Sequence, residues 1–333
     1  LVYGRRIWHR FRTSGRRVGM LFWQQSLGEE VDLLLSPWPV HRHHGGMIPH
    51  CHSVPDDLYA RLRAELGRPF PLHHYWGPRA SIESSRWIAE AACAVISNEE
   101  LSPDLLLVYL PHLDYDLQRF GPDSPEARAA LEEALAQVGG IWNTARELGA
   151  DVIVFGDYAI APVTGGPVYL SLELHRQGLF KSRLVRGRRY PDFYGSRAVA
   201  VADHEIALIY ARSEDDVRAV RRLLERVEGI GLVVDPDAQR ELCMDDPFGP
   251  DLVVVAEPGR WFAYPWWERP REAPDFADHV DIHSKPGYDP CELLAGRWPG
   301  RVSMDPSRIR GTHGRAGRER LVAWTASFEL PTA

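Results

Sequence analysis

Residues 105–122, LLLVYLPHLDYDLQRFGP, constrain this chain more than any other stretch. Leu105 to Leu110 is a run of apolar and β-favouring residues with the length of a buried strand, and Pro111 breaks it. A long amphipathic helix is expected next, over 125–148. Ser124 is its N-cap and Gly149 its stop, and Ala127, Ala130, Leu131, Leu135, Val138, Trp142 and Ala145 form its buried stripe. VIVF at 152–155 then reads as a second strand, ending in Gly156-Asp157-Tyr158. Strand, helix, strand predicts a right-handed crossover and a parallel pair, hence an α/β fold. Ligands of open α/β sheets sit beyond the carboxyl ends of the strands. The polar groups after the two strands, His112, Asp114 and Asp116 on one side and Asp157 on the other, are therefore expected to share one edge of the sheet. Carboxylates and an imidazole in that place are the groups a metal or phosphoryl site uses.

A chain of 333 residues has room for one large α/β domain or two smaller ones. The net charge of −7 gives no reason to expect a nucleic-acid polymer or an anionic membrane as partner. No apolar run approaches the ~18 residues of a membrane span. Cys51, Cys93, Cys243 and Cys291 form no CxxC pair, which suits a reducing, cytoplasmic setting over a disulfide framework or a zinc ribbon. Residues 1–17 are strongly basic, open on Leu and show no signal peptide, so the chain is expected to begin inside a longer protein.

Strands are expected at 18–23 and 31–35. The stretch 36–53 reads as a Pro- and Gly-rich loop carrying His41, His43, His44, His50 and His52. Imidazoles bind metals, but these lack a fixed ligand spacing and fit a solvated loop better. Short helices are expected over 55–66 and 81–96, the second burying Ile82, Trp87, Ile88, Ala91, Ala92 and Val95. AVAVA at 198–202 and IALIY at 206–210 read as an antiparallel pair around Asp203-His204-Glu205, and a helix is expected over 214–227. With strands at 230–234, 252–256 and 261–264, residues 198–267 suggest a smaller α+β lobe. Downstream, His283 and Lys285 lie in DIHSKPGYDP, and His313 stands between glycines in GTHG, where the backbone permits close approach of a ligand.

Asp114 after a strand, Asp157 after the next and a late Gly-x-His-Gly resemble the nucleotide pyrophosphatase/phosphodiesterase branch of the alkaline phosphatase superfamily. WGPRASIESSRWIAEAA, LVYLPHLDYDLQRFGP, VADHEIALIY and DIHSKPGYDPCELL carry the likeness from about Gly4 to Gly314. It implies a three-layer α/β sandwich with a mostly parallel central sheet, read as one domain over 1–333. It also implies a hydrolase of phosphodiester, nucleotide pyrophosphate or phosphonate substrates, with two divalent ions, zinc or else manganese or iron. Mapped by motif, Asp114, Asp157 and His313 are metal ligands, and His283 lies in a shared motif. Gln118 stands where the family's Asp-x-x-x-His has His, and Tyr158 where its Asp-His pair has His. An amide and a phenol are poor zinc ligands. His112, Asp116 and His204 are candidate substitutes, and Lys285 is a candidate partner for phosphate charge. The family's nucleophile falls in a segment this chain does not show, so the chain alone is expected to be inactive. A non-catalytic relative that binds a ligand or partner is the alternative.

Overall fold

The structure, a computed structural model, describes residues 5–43, 46–242, 244 and 246–329. His44, Cys243 and residues 1–4 of the basic segment lie outside the described residues. The chain divides into two compact units, Leu1–Tyr115 with Arg128–Phe155 and Ala323–Ala333, and Asp116–Ala127 with Gly156–Val322. Among the described residues no helix is long and apolar enough to cross a membrane.

The first unit is built on β1 (Val18–Leu21). It runs parallel to β2 (Leu33–Pro37) on one side and β4 (Leu105–Val108) on the other, while β3 (Cys51–Val54) closes the edge antiparallel to β2. All four residues of β1 are buried, as expected of a strand covered on both faces. The packing is close at Gly19, where a Cβ would stand 3.0 Å from both Leu106 Cδ1 and Pro103 Cγ. Helix α1 (Ile82–Ser97) buries the expected stripe, Ile82, Trp87, Ile88, Ala91, Ala92 and Val95.

Four expectations change in or next to this unit. The second strand begins at Leu33, two residues late. The loop expected over 36–53 ends in strand β3, whose alternating burial of Cys51 and Ser53 was hidden by the surrounding Pro, Gly and His. In that ribbon His41, His43 and His50 are exposed.

The polar residues after β4 are helical. They open helix α2 (His112–Phe120) directly behind Pro111, whose fixed φ suits a helix start. Helix α3 (Pro125–Glu147) is capped as expected, with Ala127 N–H donating to Ser124 Oγ at 3.0 Å. Its buried line, however, runs through Ala127, Ala130 and Ala145, leaving Leu131 44% and Leu135 58% exposed. The helix packs through its small residues, and each leucine is turned about 100° from the alanine position before it.

The most consequential correction concerns strand pairing. The strand Ile153–Phe155 pairs antiparallel with Trp324–Ala326, and the parallel neighbour of β4 is β1. The expected parallel pair of β4 with this strand is absent, and with it goes the physical basis for placing Asp114 beside Asp157.

The second unit centres on an antiparallel sheet of β5 (Ala198–Asp203), β6 (Ile206–Ala211), β7 (Ile230–Val234) and β8 (Leu252–Ala256), in the order β5-β6-β8-β7. Helix α4 (Glu214–Leu224) packs Val220, Leu223 and Leu224 into the same core as Ala200, Ile209, Val254, Phe180, Phe262 and Trp266. Ser213 Oγ caps it by accepting from Asp216 N–H. The strand expected at 261–264 is reduced to a single bridge between Phe262 and Val168. Its backbone is spent on loops instead: Phe262 N–H donates to His204 O at 2.7 Å, and Ala263 N–H to Val168 O at 2.9 Å.

Candidate active site

Three backbone junctions of the second unit bring His204 and His313 together. Gly311–Thr312 pairs antiparallel with Ala161–Pro162, which brings Tyr158 to the loop that carries His313. Arg310 N–H donates to Gln118 O at 2.9 Å and so fixes that loop against α2. Glu205 N–H donates to His313 O at 2.8 Å and sets the β5–β6 turn beside it. Gly311 permits the second junction, because a Cβ there would fall 2.1 Å from Leu117 O.

The β5–β6 hairpin has a two-residue turn, His204-Glu205. His204 sits there at φ 54°, a left-handed conformation uncommon outside glycine. Turns of this length favour Asn-Gly or Asp-Gly. The departure is a readable signal of function, and the sequence marks Asp203-His204-Glu205 as a polar turn able to ligate a metal, with His204 as the candidate site residue.

The rings stack. His313 lies between Tyr158, at 3.8 Å and 14°, and His204, at 3.9 Å and 29°. Tyr288 stands 6.3 Å from His204 on a tilted plane. His204 Nδ1 lies 2.8 Å from Asp203 Oδ1 and Nε2 lies 3.2 Å from Gln118 Oε1. A carboxylate only accepts, so Nδ1 carries a proton. The Gln118 amide serves either ring state. Its oxygen accepts from a protonated Nε2, and after a half-turn its NH2 donates to a bare one.

Burial would raise the Asp203 carboxyl pKa, but the hydrogen bond from His204 and the charges of His204 and His313 bring it below the usual range. His313 is pushed down to about 3, first by burial and then by His204, with Asp203 opposing. At neutral pH it is an uncharged imidazole with a lone pair, able to accept a hydrogen bond or ligate but not to offset phosphate charge.

The other expected residues are placed elsewhere. Asp114 lies in the first turn of α2 and belongs to the first unit. Asp157 is exposed, its Oδ1 accepting from Tyr158 N–H at 3.1 Å. His112 is buried in the first unit, with Nε2 2.6 Å from Glu133 Oε2. Asp116 pairs with Arg119 at 3.2 Å. His283 is exposed, its N–H donating to Asp281 Oδ1 at 3.0 Å. Lys285 is buried. Its ammonium donates to His279 O at 3.0 Å and meets Asp289 and Glu292 at 2.7 Å each, so all three of its N–H groups are spent on the protein.

Among the described residues no three His, Cys, Asp or Glu side chains gather into a ligand set for a metal ion. Both nitrogens of His204 are engaged by Asp203 and Gln118, and Tyr158 offers His313 the face of its ring. The donors as arranged do not fit the two ions that the resemblance implies. The described thiols, Cys51, Cys93 and Cys291, are free, and burial pushes the Cys51 thiol up to about 12.

A model of the family "Type I phosphodiesterase / nucleotide pyrophosphatase" matches residues 1–289. The chain belongs to that family, within the alkaline phosphatase superfamily. The match takes in Gln118, Tyr158, Asp203 and His204 and stops before His313.

No curated protein matches the chain. Among solved structures it is similar to phosphonoacetate hydrolase from Sinorhizobium meliloti 1021, in complexes with phosphonoacetate and with phosphonoformate. Identity is 16%, TM-scores are 0.50 and 0.51, and 95% of this chain covers 67% of that one. It is also similar to murine ectonucleotide pyrophosphatase / phosphodiesterase 5, at 14% identity and a TM-score of 0.46, with 92% of this chain covering 62% of that one. At such identity the phosphonoacetate hydrolase likeness speaks of fold alone. The chain spans about two thirds of the length of these proteins.

Proposed function

We propose that the protein hydrolyses phosphoester or phosphonate bonds in small substrates of the phosphodiester, nucleotide pyrophosphate or phosphonate kind. Family membership over residues 1–289 carries this reading, and a three-layer sandwich of the alkaline phosphatase type goes with it. In this reading Asp203 on Nδ1 and Gln118 on Nε2 fix the His204 ring, which in turn holds the His313 ring stacked on it. Neutral His313 accepts a hydrogen bond from substrate or water, and the flanking Tyr158 ring keeps its plane fixed.

A requirement for divalent ions is a separate proposal that rests on the family alone, and no step here runs through a metal. The test is turnover of bis(4-nitrophenyl) phosphate, the 4-nitrophenyl ester of thymidine 5′-monophosphate, and phosphonoacetate, each with zinc, with manganese and with a chelator. Turnover of any of the three supports the hydrolase reading, and its loss on chelation supports the ions. A specific observation favours a second reading, a non-catalytic relative that binds a phosphorylated ligand: the Gln118 amide on His204 and the Tyr158 ring on His313 stand where the family pattern has histidines. No turnover under any condition, with retained binding of thymidine 5′-monophosphate, would establish it.

A further inference from the structure

A cavity of about 290 Å3 opens in the second unit between Tyr169, Tyr264, Trp267 and Met304, with Asp289 and Cys291 at its floor. One wall follows directly from the backbone bonds that hold Phe262 to His204 and Ala263 to Val168. The floor is the one-turn helix Pro290–Leu293, capped by Asp289, whose Oδ1 accepts from Cys291 N–H at 3.1 Å. Tyr264 and Trp267 meet at 5.6 Å and 74° and form a right-angled aromatic corner.

The surroundings are acidic. Burial first, and then Asp289, Cys291, Glu292 and Asp281, hold the Tyr264 phenol pKa well above its ordinary value. Lys285, 5.6 Å from the Tyr264 ring centroid, supplies one compensating ammonium against those three carboxylates. Aromatic faces carry negative quadrupole density, and an acidic excess beneath them adds to it. A cation is therefore favoured over a neutral guest of the same size.

The floor also sets the kind of cation. Asp289 Oδ2 is taken by Lys285 and Oδ1 by Cys291 N–H, while Glu292 Oε1 meets Lys285 and accepts from Asp281 N–H. These oxygens already take N–H donors, which leaves a bare ammonium ion fewer acceptors at the floor, while the Glu268 carboxylate in the lining attracts a cation of either kind. An alkylated ammonium needs no acceptor and gains from the apolar lining. The volume lies at the low end of ligand cavities, roughly 300–1,000 Å3, which suits a headgroup and not a whole nucleotide.

We propose that this cavity binds a small organic cation of the quaternary alkylammonium class against the partly exposed rings of Trp267 and Tyr169, with buried Tyr264 behind them. The proposal stands apart from the hydrolase reading, because none of these residues belongs to the ring stack around His313. The test is calorimetric titration of the 333-residue chain with choline, with its uncharged carbon isostere 3,3-dimethyl-1-butanol, and with ammonium chloride. Choline is expected to bind about tenfold or more tightly than either. Trp267→Leu, which keeps apolar volume and removes the π face, is expected to weaken choline about tenfold while its thermal melt shows a folded chain. A Tyr169→Leu variant gives the same reading should Trp267→Leu fail to fold. Equal binding of choline and the isostere would reduce the cavity to an apolar void. Ammonium binding as tight as choline would make it a simple acidic site. No choline binding at millimolar concentration, or unchanged binding in the folded variant, would overturn the proposal.

Discussion

Gln118 and His204, 86 positions apart in the chain, face each other in the interior of the second unit with 3.2 Å between Oε1 and Nε2. Both side chains are buried, so neither can exchange its partner for bulk water. Gln118→Leu keeps the volume and leaves Nε2 unpaired. The expected cost is about 1–3 kcal/mol of unfolding free energy, measured by urea denaturation. Gln118→Glu keeps an acceptor and is expected to retain more of that stability than Leu does. Equal stability of the wild type and the Leu variant would mean that water, and not the amide, satisfies the ring.

Glu205 is fully buried in the turn that carries His204, and its carboxylate is shared between Arg320, at 2.6 Å, and Arg315 N–H, at 2.9 Å. Arg320→Ala strands a buried negative charge. A loss of about 3–5 kcal/mol is expected in chemical denaturation. Glu205→Gln with Arg320→Ala removes the charge as well as its partner, and the double variant is expected to be more stable than Arg320→Ala alone. If the two deletions simply add, the pair is uncoupled and the turn is held by the Glu205 N–H bond to His313 O.

The glycines divide by what surrounds them. At Gly311 a Cβ would lie 2.1 Å from Leu117 O, and at Gly287, with φ 109°, it would lie 1.8 Å from Ala202 O. Both meet backbone, which cannot swing aside. Gly311→Ala and Gly287→Ala are each expected to lower the melting temperature sharply or to prevent folding. Gly139 and Gly140 lie in the interior of α3 with nothing within 4 Å of the added atom. Gly139→Ala is expected to stabilise by about 0.5–1 kcal/mol, the ordinary helix preference. A melt of the three variants side by side checks both halves.

That contrast follows the line between what the sequence showed and what it hid. The stripe of α1, the Ser124 cap and the hairpin around His204 were legible because each is set by residues a few positions apart. So was the family, from motifs that hold within short windows. The pairing of Ile153–Phe155 was not legible, because its partner Trp324–Ala326 lies some 170 residues downstream and no local pattern names it. The outward turn of Leu131 and Leu135 was hidden for a related reason. Periodicity marks an apolar face but does not say whether leucines or the alanines beside them meet the core. At the site, His204, Gln118, Tyr158 and His313 were each singled out from motifs, but their contact depends on three backbone junctions between distant segments.

Lys285 illustrates the same limit and gives the last prediction. From the sequence it was a candidate for phosphate charge. In the fold its side chain is 1% exposed and bridges Asp289 and Glu292, themselves 6% and 2% exposed. Lys285→Met leaves two buried carboxylates facing each other, and a loss of about 3–5 kcal/mol is expected at pH 7. The pH dependence has a definite sign. Burial alone would lower the Lys285 pKa, but Asp289 and Glu292 outweigh it and raise it. A raised pKa means that the bridge contributes fully below the unfolded value of about 10.4 and is lost as pH rises through the folded value. The stability gap between wild type and Lys285→Met, read by denaturant titration, is therefore expected to stay level from pH 7 to about 10 and to close above it. A gap that closes well below pH 10 would show that the ammonium is solvated and that the buried bridge does not form.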